Sequence, residues 1–331
     1  MIENLVDYFA IVQAWLFESI VQPFLFWAGL GEFSENAFEG TEWFLIGILE
    51  LLLIWLVLRP LEAWIPVHQF DDRRARWNDF IYTVIHRLGA FTLLIFFLLD
   101  PLVDQFTGFL HLHGMHQFDL DKVWPGVSDR PLVSFVIYLV VLDFFDYWYH
   151  RAQHQVRWWW GLHSLHHSQQ NMNLWSDDRN HLLDDLLRDL YLALIALLIG
   201  VQPGQYVMLV ALSRVLQSLQ HANVRIHFGW LGERLLVSPR FHRLHHAIGV
   251  GHESRGHNSL GGHNFAVLFP VWDLLFGTAR FATEFARTGV RDQLPPPRGK
   301  GRDYGDGFWR QQWLGLKRMV HYGRRAGQKR S

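Results

Sequence analysis

From Trp43 to Leu58 the chain carries one ionisable residue, Glu50, and then stops at Arg59-Pro60. With its flanks this run approaches the roughly 20 apolar residues that cross a bilayer as a helix. In hydrocarbon a backbone must satisfy its own hydrogen bonds, so helix is the form open to such a run. Comparable runs cover about Phe80 to Leu99 and Leu132 to Tyr149, and half of the chain is apolar. Residues 5–30 are apolar too, with Asp7, Glu18 and Gln22 within about 60° of one another on a helical wheel, which reads as a span whose polar stripe packs against neighbours, with a helix lying in the interface as the alternative. Asp184 to Gln220 holds two apolar runs joined at Pro203-Gly204, a helical hairpin that dips in and returns. The expected fold is an all-α integral membrane protein of about four to six transmembrane or re-entrant helices, with a cytoplasmic histidine-rich helical cap.

Charge orients this arrangement. Arg73, Arg74 and Arg76 lie in an expected loop after the Trp43 run, whereas 31–42, read as a loop, and 100–129 are acidic. The positive-inside rule puts the arginines in the cytoplasm and the acidic stretches outside, with His111, His113 and His116 as surface residues of the outer loop. Glu50 is too costly to face lipid and is expected inside the bundle in a structural hydrogen bond. Residues 280–331 hold thirteen Lys and Arg against four Asp and Glu, suiting a cytoplasmic tail near anionic headgroups, and no nucleic-acid motif accompanies them. Phe308, Trp309 and Trp313 could anchor an interfacial helix, with ordinary packing as the alternative. Short helices are expected around 230–246. The organisation is 1–130 membrane helices and loops, 131–280 a catalytic region and 281–331 a basic tail. Cysteine is absent, which excludes disulfides, thiolate-ligated haem and cysteine-held clusters. Neither a G-x-G-x-x-G fingerprint nor a Walker loop is present, so no nucleotide site is encoded.

Eight histidines carry the chemistry. His150 and His154 are four apart and share a helix face. His163, His166 and His167 fall within roughly a 100° arc and can point into one cavity, and His242, His245 and His246 repeat that H-x-x-H-H spacing. Neutral imidazole suits iron, zinc, copper and nickel rather than magnesium or calcium. Eight such ligands exceed the three or four protein ligands of one zinc site, so two ions in one cavity explain the number better. Asp143 lies seven residues before His150 on the same face and Asp146 one turn before it, so either could orient an imidazole, with Asp143 preferred.

The segments Asp143-Phe-Phe-Asp-Tyr-Trp-Tyr-His150-Arg151-Ala-Gln-His154 and Trp160-Gly-Leu-His163-Ser-Leu-His166-His167-Ser168 resemble the membrane-bound sterol desaturase and fatty acid hydroxylase superfamily. Arg179-Asn-His181, Gln220-His221-Ala-Asn223, Phe241-His-Arg-Leu-His-His246 and Asn264-Phe-Ala-Val-Leu-Phe-Pro-Val-Trp272-Asp273-Leu-Leu-Phe-Gly277-Thr278 follow in family order. Two departures stand out: Ala266 replaces the usual glycine, and the 16 residues from Ala247 to Gly262, with His252 and His257, form a longer link than usual.

The resemblance implies a non-haem di-iron enzyme that uses O2 to hydroxylate or desaturate a sterol-like, fatty acyl or ether lipid. It adds His181 and His221 to the ligand candidates and Asn223 and Asp273, beside Asp143, to the groups supporting the site. It also implies a separate electron donor (a reductase, a ferredoxin or a cytochrome b5-like protein), with Arg324, Arg325, Lys329 and Arg330 of the tail as a docking surface. The setting would be the bacterial inner membrane or the endoplasmic reticulum. Zinc could replace iron on purification, because it outcompetes ferrous iron at many nitrogen sites. The rival readings are a haem-carrying electron carrier, a non-catalytic metal-binding membrane protein and an acyl-lipid desaturase of the other histidine-box family.

Overall fold

The computed structural model describes residues 2–69, 72–88, 105–110, 112–114, 118–248, 262–295 and 300–327. Among them the regular structure is helical, with two isolated bridges, Pro66 to Val224 and Ala247 to Thr288. Among the described residues three helical segments are long and apolar enough to cross a membrane: Val6–Ala28, Gly31–Trp64 and Pro131–Gln155. The expected span from Phe80 lies largely outside the described residues.

The contacts divide the chain into two units. The first is Met1–Leu53 with Val84–His116. Here α1 (Ile2–Leu16) runs through a π-helical turn, Phe17–Val21, into α2 (Gln22–Ala28). α3 (Ser34–Leu53) follows in this unit, and the second unit opens on another π turn, Ile54–Leu58, that leads into α4 (Arg59–Trp64). Each π turn sits just before a proline, Pro23 or Pro60, whose missing N–H and bulky ring disturb the i to i−4 ladder. Phe17, Leu25 and Ala37 form the contact between α1, α2 and α3. The polar stripe expected on the first helix is not what packs. Asp7 and Glu18 are exposed, and the buried polar residue is Gln13, which donates to the Phe38 carbonyl at 3.1 Å. Residues 34–42, expected as loop, are the first turns of α3, started by Glu35 beside the helix's positive end. Glu50 is buried, as expected, with the buried Arg87 guanidinium 3.4 Å away. Gly47 permits that pairing, because a Cβ there would lie 1.8 Å from the Arg87 carbonyl oxygen. His113 is exposed, as expected, and His111 and His116 lie outside the described residues.

The second unit is Ile54–Thr83 with Gln117–Ser331. The arginines 73, 74 and 76, expected in a loop, open α5 (Arg73–Arg87), because the Asp72 carboxylate accepts from the Ala75 N–H at 3.0 Å and caps it. Then come α6 (Pro131–Gln155), α7 (Arg157–His167) and the hairpin α8 (Leu182–Leu198) to α9 (Pro203–His221). The hairpin turns at Gly200, whose φ of +76° suits glycine and where a Cβ would meet the Phe118 carbonyl at 2.4 Å. The expected short helices are α10 (Gly229–Leu235) and α11 (Pro239–His245), the latter capped by Ser238 Oγ accepting from Phe241 N. A five-residue helix, α12 (Val271–Leu275), and α13 (Phe308–Gly327) follow. α13 lies directly on α7: at Gly161 a Cβ would sit 2.5 Å from the Met319 amide nitrogen, so the two backbones touch. On α13 Phe308 is buried, while Trp309 and Trp313 are exposed.

Candidate metal centre

Nine buried histidines converge in the second unit, and they fall into two groups. His150, His154, His163, His167 and His245 form one, and His166, His221, His242 and His246 the other; within each, one ring nitrogen per residue lies within 4.8 Å of all the others. Helix geometry explains the partition. Residues four apart are rotated by about 40° and share a row, whereas a residue three on is displaced by about 60° to the other side. So α7 sends His163 and His167 to the first group and His166 to the second. The second box answers in reverse, with His242 and His246 in the second group and His245 in the first. The three histidines of each H-x-x-H-H box, expected to point into one cavity shared by two ions, are divided between the two groups. α6 completes the five-histidine group with His150 and His154, and the last residue of α9 completes the four-histidine group with His221.

Hydrogen bonds at the outer ring nitrogens set the tautomers. His150 Nδ1 lies 2.8 Å from the Phe265 carbonyl, His245 Nδ1 2.7 Å from the His263 carbonyl and His221 Nδ1 2.8 Å from the Gln217 carbonyl. A carbonyl only accepts, so each Nδ1 carries the proton and each Nε2 turns a lone pair inward. His163 Nδ1 is 3.1 Å from the Asp184 carboxylate, and its buried Nε2 has no hydrogen-bond partner among the described residues. The Nε2 atoms then crowd. His166 to His221 is 3.1 Å, His221 to His242 3.0 Å, His242 to His246 3.1 Å and His167 to His245 3.2 Å. Converging lone pairs repel unless a cation lies between them. Two nitrogens each about 2.1 Å from one metal, at right angles, would be about 3.0 Å apart, so the donor set fits transition-metal ions. Burial and the neighbouring imidazoles hold His166 and His242 well below the ordinary histidine range, which keeps them neutral and able to ligate.

The other expected site residues are engaged elsewhere. His181 is in neither group: its Nε2 donates to the Gln312 carbonyl at 2.9 Å and its Nδ1 caps α8 by accepting from Leu183 N. Its Cδ2 would meet a Cβ at Gly315 at 2.3 Å, so it is packed against α13. Asp143 orients no imidazole; it accepts from Leu268 N, Phe269 N and the Trp272 indole at 2.8 to 3.0 Å. Asp146 is held by Arg188 Nε at 2.9 Å. Asp273 accepts from Phe265 N and Ala266 N at 2.8 and 2.9 Å and from Thr278 Oγ1. Both aspartates therefore fasten the 264–273 segment, whose Phe265 carbonyl holds His150. Asn223 ties the stretch after α9 to His68, accepting from His68 N and donating to His68 O. Ala266 has no positive φ, so no glycine is required there. The carboxylates that do meet an imidazole of the two groups are Asp177, 3.3 Å from His221 Nδ1, and Asp184, which also accepts from Gln153 Nε2 at 2.9 Å and Trp159 Nε1 at 2.7 Å. The signal for Asp184 was a pair of carboxylates, Asp184-Asp185, near the start of a run that turns apolar after Asp189. Most of the 247–262 link, with His252 and His257, lies outside the described residues.

A fatty acid hydroxylase family profile matches residues 135–278, which hold all nine histidines. The chain is 31% identical over 151 residues to human alkylglycerol monooxygenase, a match covering 45% of this chain and 31% of that enzyme. It is 24% identical over 275 residues to an ornithine lipid hydroxylase of Rhizobium tropici, covering 78% and 74% of the two chains. A Delta(7)-sterol 5(6)-desaturase of Gibberella zeae is 26% identical over 152 residues, covering 44% and 46%. The matched region thus spans about a third of the human relative's length and about three quarters of the bacterial one. No solved structure matches the chain.

Proposed function

Because the chain belongs to the sterol desaturase and fatty acid hydroxylase superfamily of histidine-box di-iron oxygenases, we propose that it is a membrane-embedded oxygenase that uses O2 to hydroxylate or desaturate a lipid. The observation that carries this reading is the partition of nine buried imidazoles into a five-ligand and a four-ligand set. His150, His154, His163, His167 and His245 would hold one iron, and His166, His221, His242 and His246 the other. Bound iron supplies O2 binding and the abstraction of hydrogen from an unactivated C–H bond. The protein's own part is orientation and exclusion. The Phe265, His263 and Gln217 carbonyls and the Asp184 carboxylate keep protons on outer nitrogens, so that inner ones stay available. Burial of all nine rings excludes water.

The lipid reaches the site from the bilayer, since His150 and His154 occupy the last turns of the apolar Pro131–Gln155 helix. Relatives are named for alkylglycerol, ornithine lipid and sterol oxidation, which supports a sterol-like, fatty acyl or ether lipid as this chain's substrate. With α8 and α9 as a re-entrant hairpin the helices number about four to six, and the histidines and basic tail face the cytoplasm by the positive-inside rule. Electrons come from a separate reductase, ferredoxin or cytochrome b5-like protein.

The test is elemental analysis of protein made with ample iron, followed by lipid screening under labelled O2. Two irons per chain, lost when His166→Ala and His245→Ala remove one ligand from each set, together with an oxidised sterol, acyl or ether lipid, are expected. Protein without stoichiometric metal, or one that oxidises only soluble metabolites, sinks the reading.

A further inference from the structure

One ligand of the five-histidine group is wired to the surface. His163 Nδ1 meets Asp184 Oδ2 at 3.1 Å, and the other Asp184 oxygen accepts from the Trp159 indole N–H at 2.7 Å. Trp159 is stacked on Trp158, with ring centroids 5.2 Å apart and planes 3° from parallel. Trp158 is 39% exposed, just beyond the end of the Pro131–Gln155 helix. Asp184 is buried, and further bonds from Gln153 Nε2 and from Tyr149 Oη to its own carbonyl fix it in place.

We propose that His163, Asp184, Trp159 and Trp158 form a one-electron relay between the metal centre and the protein surface. The inference rests on the oxygenase reading above. Indole is among the most readily oxidised side chains, and a buried carboxylate bonded to its N–H lowers the cost of the indole cation by charge attraction in a medium of low dielectric. With iron bound and oxidised by O2, and no C–H bond at hand, Trp159 would give up one electron to the iron site and that site would be reduced by one. The indole proton stays on Nε1, shared with Asp184. Trp158, in van der Waals stacking distance, refills Trp159 with one electron. A one-electron donor at the surface, such as a reduced flavin or iron–sulfur protein, then restores Trp158. No bond is made or broken; the donor ends oxidised by one electron and the centre reduced by one. The stacked pair makes that last exchange possible, since Trp159 itself is turned inward toward Asp184.

The experiment uses the full-length iron-loaded protein, reduced, mixed with O2 without lipid, freeze-quenched and read by electron paramagnetic resonance beside Mössbauer spectroscopy of the iron. A tryptophan radical is expected, narrowed by ring-deuterated tryptophan, lost in Trp159→Phe and longer-lived in Trp158→Phe. Phenylalanine keeps the ring packing and iron content, so loss of the signal at unchanged iron reads electron transfer rather than folding. Iron that is oxidised by O2 with no indole radical, or with a radical untouched by Trp159→Phe, overturns the relay alone. A protein that binds no iron overturns the oxygenase reading and the relay with it.

Discussion

At the scale of single residues, the distinction that matters is which imidazoles point inward and what holds them. Asp184→Asn keeps the shape but removes the charge behind His163, and iron affinity should fall about 10- to 100-fold, measured by competition with a chelator, as for other residues that orient a metal ligand. His181→Gln should retain both irons and lose only stability, because His181 caps α8 and packs on α13; loss of one iron from this variant would overturn the assignment. The pH response follows from His166 and His242, whose protonation in the fold lies well below the ordinary histidine value of about 6.5. The unfolded chain binds protons there before the folded one does. Stability of the metal-free protein is therefore complete above that value and declines as pH falls below it toward the lowered folded-state values, which thermal melts from pH 8 to 5 should record. Nine of the ten expected histidines meet in the two groups: helix periodicity brings eight of them together, and the ninth, His221, was marked by the resemblance. The sequence was silent on Asp184, and it assigned Asp143 to an imidazole when that carboxylate serves backbone N–H groups, because hydrogen-bond partners 125 residues apart leave no local pattern.

At the scale of elements, the site is held by backbone contacts at particular glycines and by carboxylates that tie down loops. Gly161→Ala puts a methyl group against the Met319 amide and should cost about 1–3 kcal/mol by overpacking, read in the melting temperature. Asp273→Asn weakens the carboxylate that holds Phe265 and Ala266 and should loosen His150 through the Phe265 carbonyl, again lowering metal affinity more than stability. Helix existence was legible from apolar runs, and the hairpin from Pro203 and its neighbours. Two stretches read as loops proved helical. Charge clustering at 34–42 and 73–76 marks helix starts here, where Glu35 complements the macrodipole and Asp72 supplies a cap.

At the scale of the whole molecule, an ion bound only by the folded protein would add to its stability. Chelation should lower the melting temperature in detergent, since a ligand at a hundredfold excess over its dissociation constant adds about 2.7 kcal/mol. An unchanged melting temperature after iron removal would mean that the groups do not bind it. What the sequence by itself determined is the helical class, the apolar segments and the eight imidazoles of the boxes, because these follow from periodicity and from what a bilayer tolerates. Only the tertiary structure decided that the boxes interlock two-and-one with one-and-two, that His221 enters while His181 stays out, and that His163 is joined through Asp184 to Trp159. These outcomes depend on where four separate helices cross, and that is fixed by packing between residues far apart in the chain.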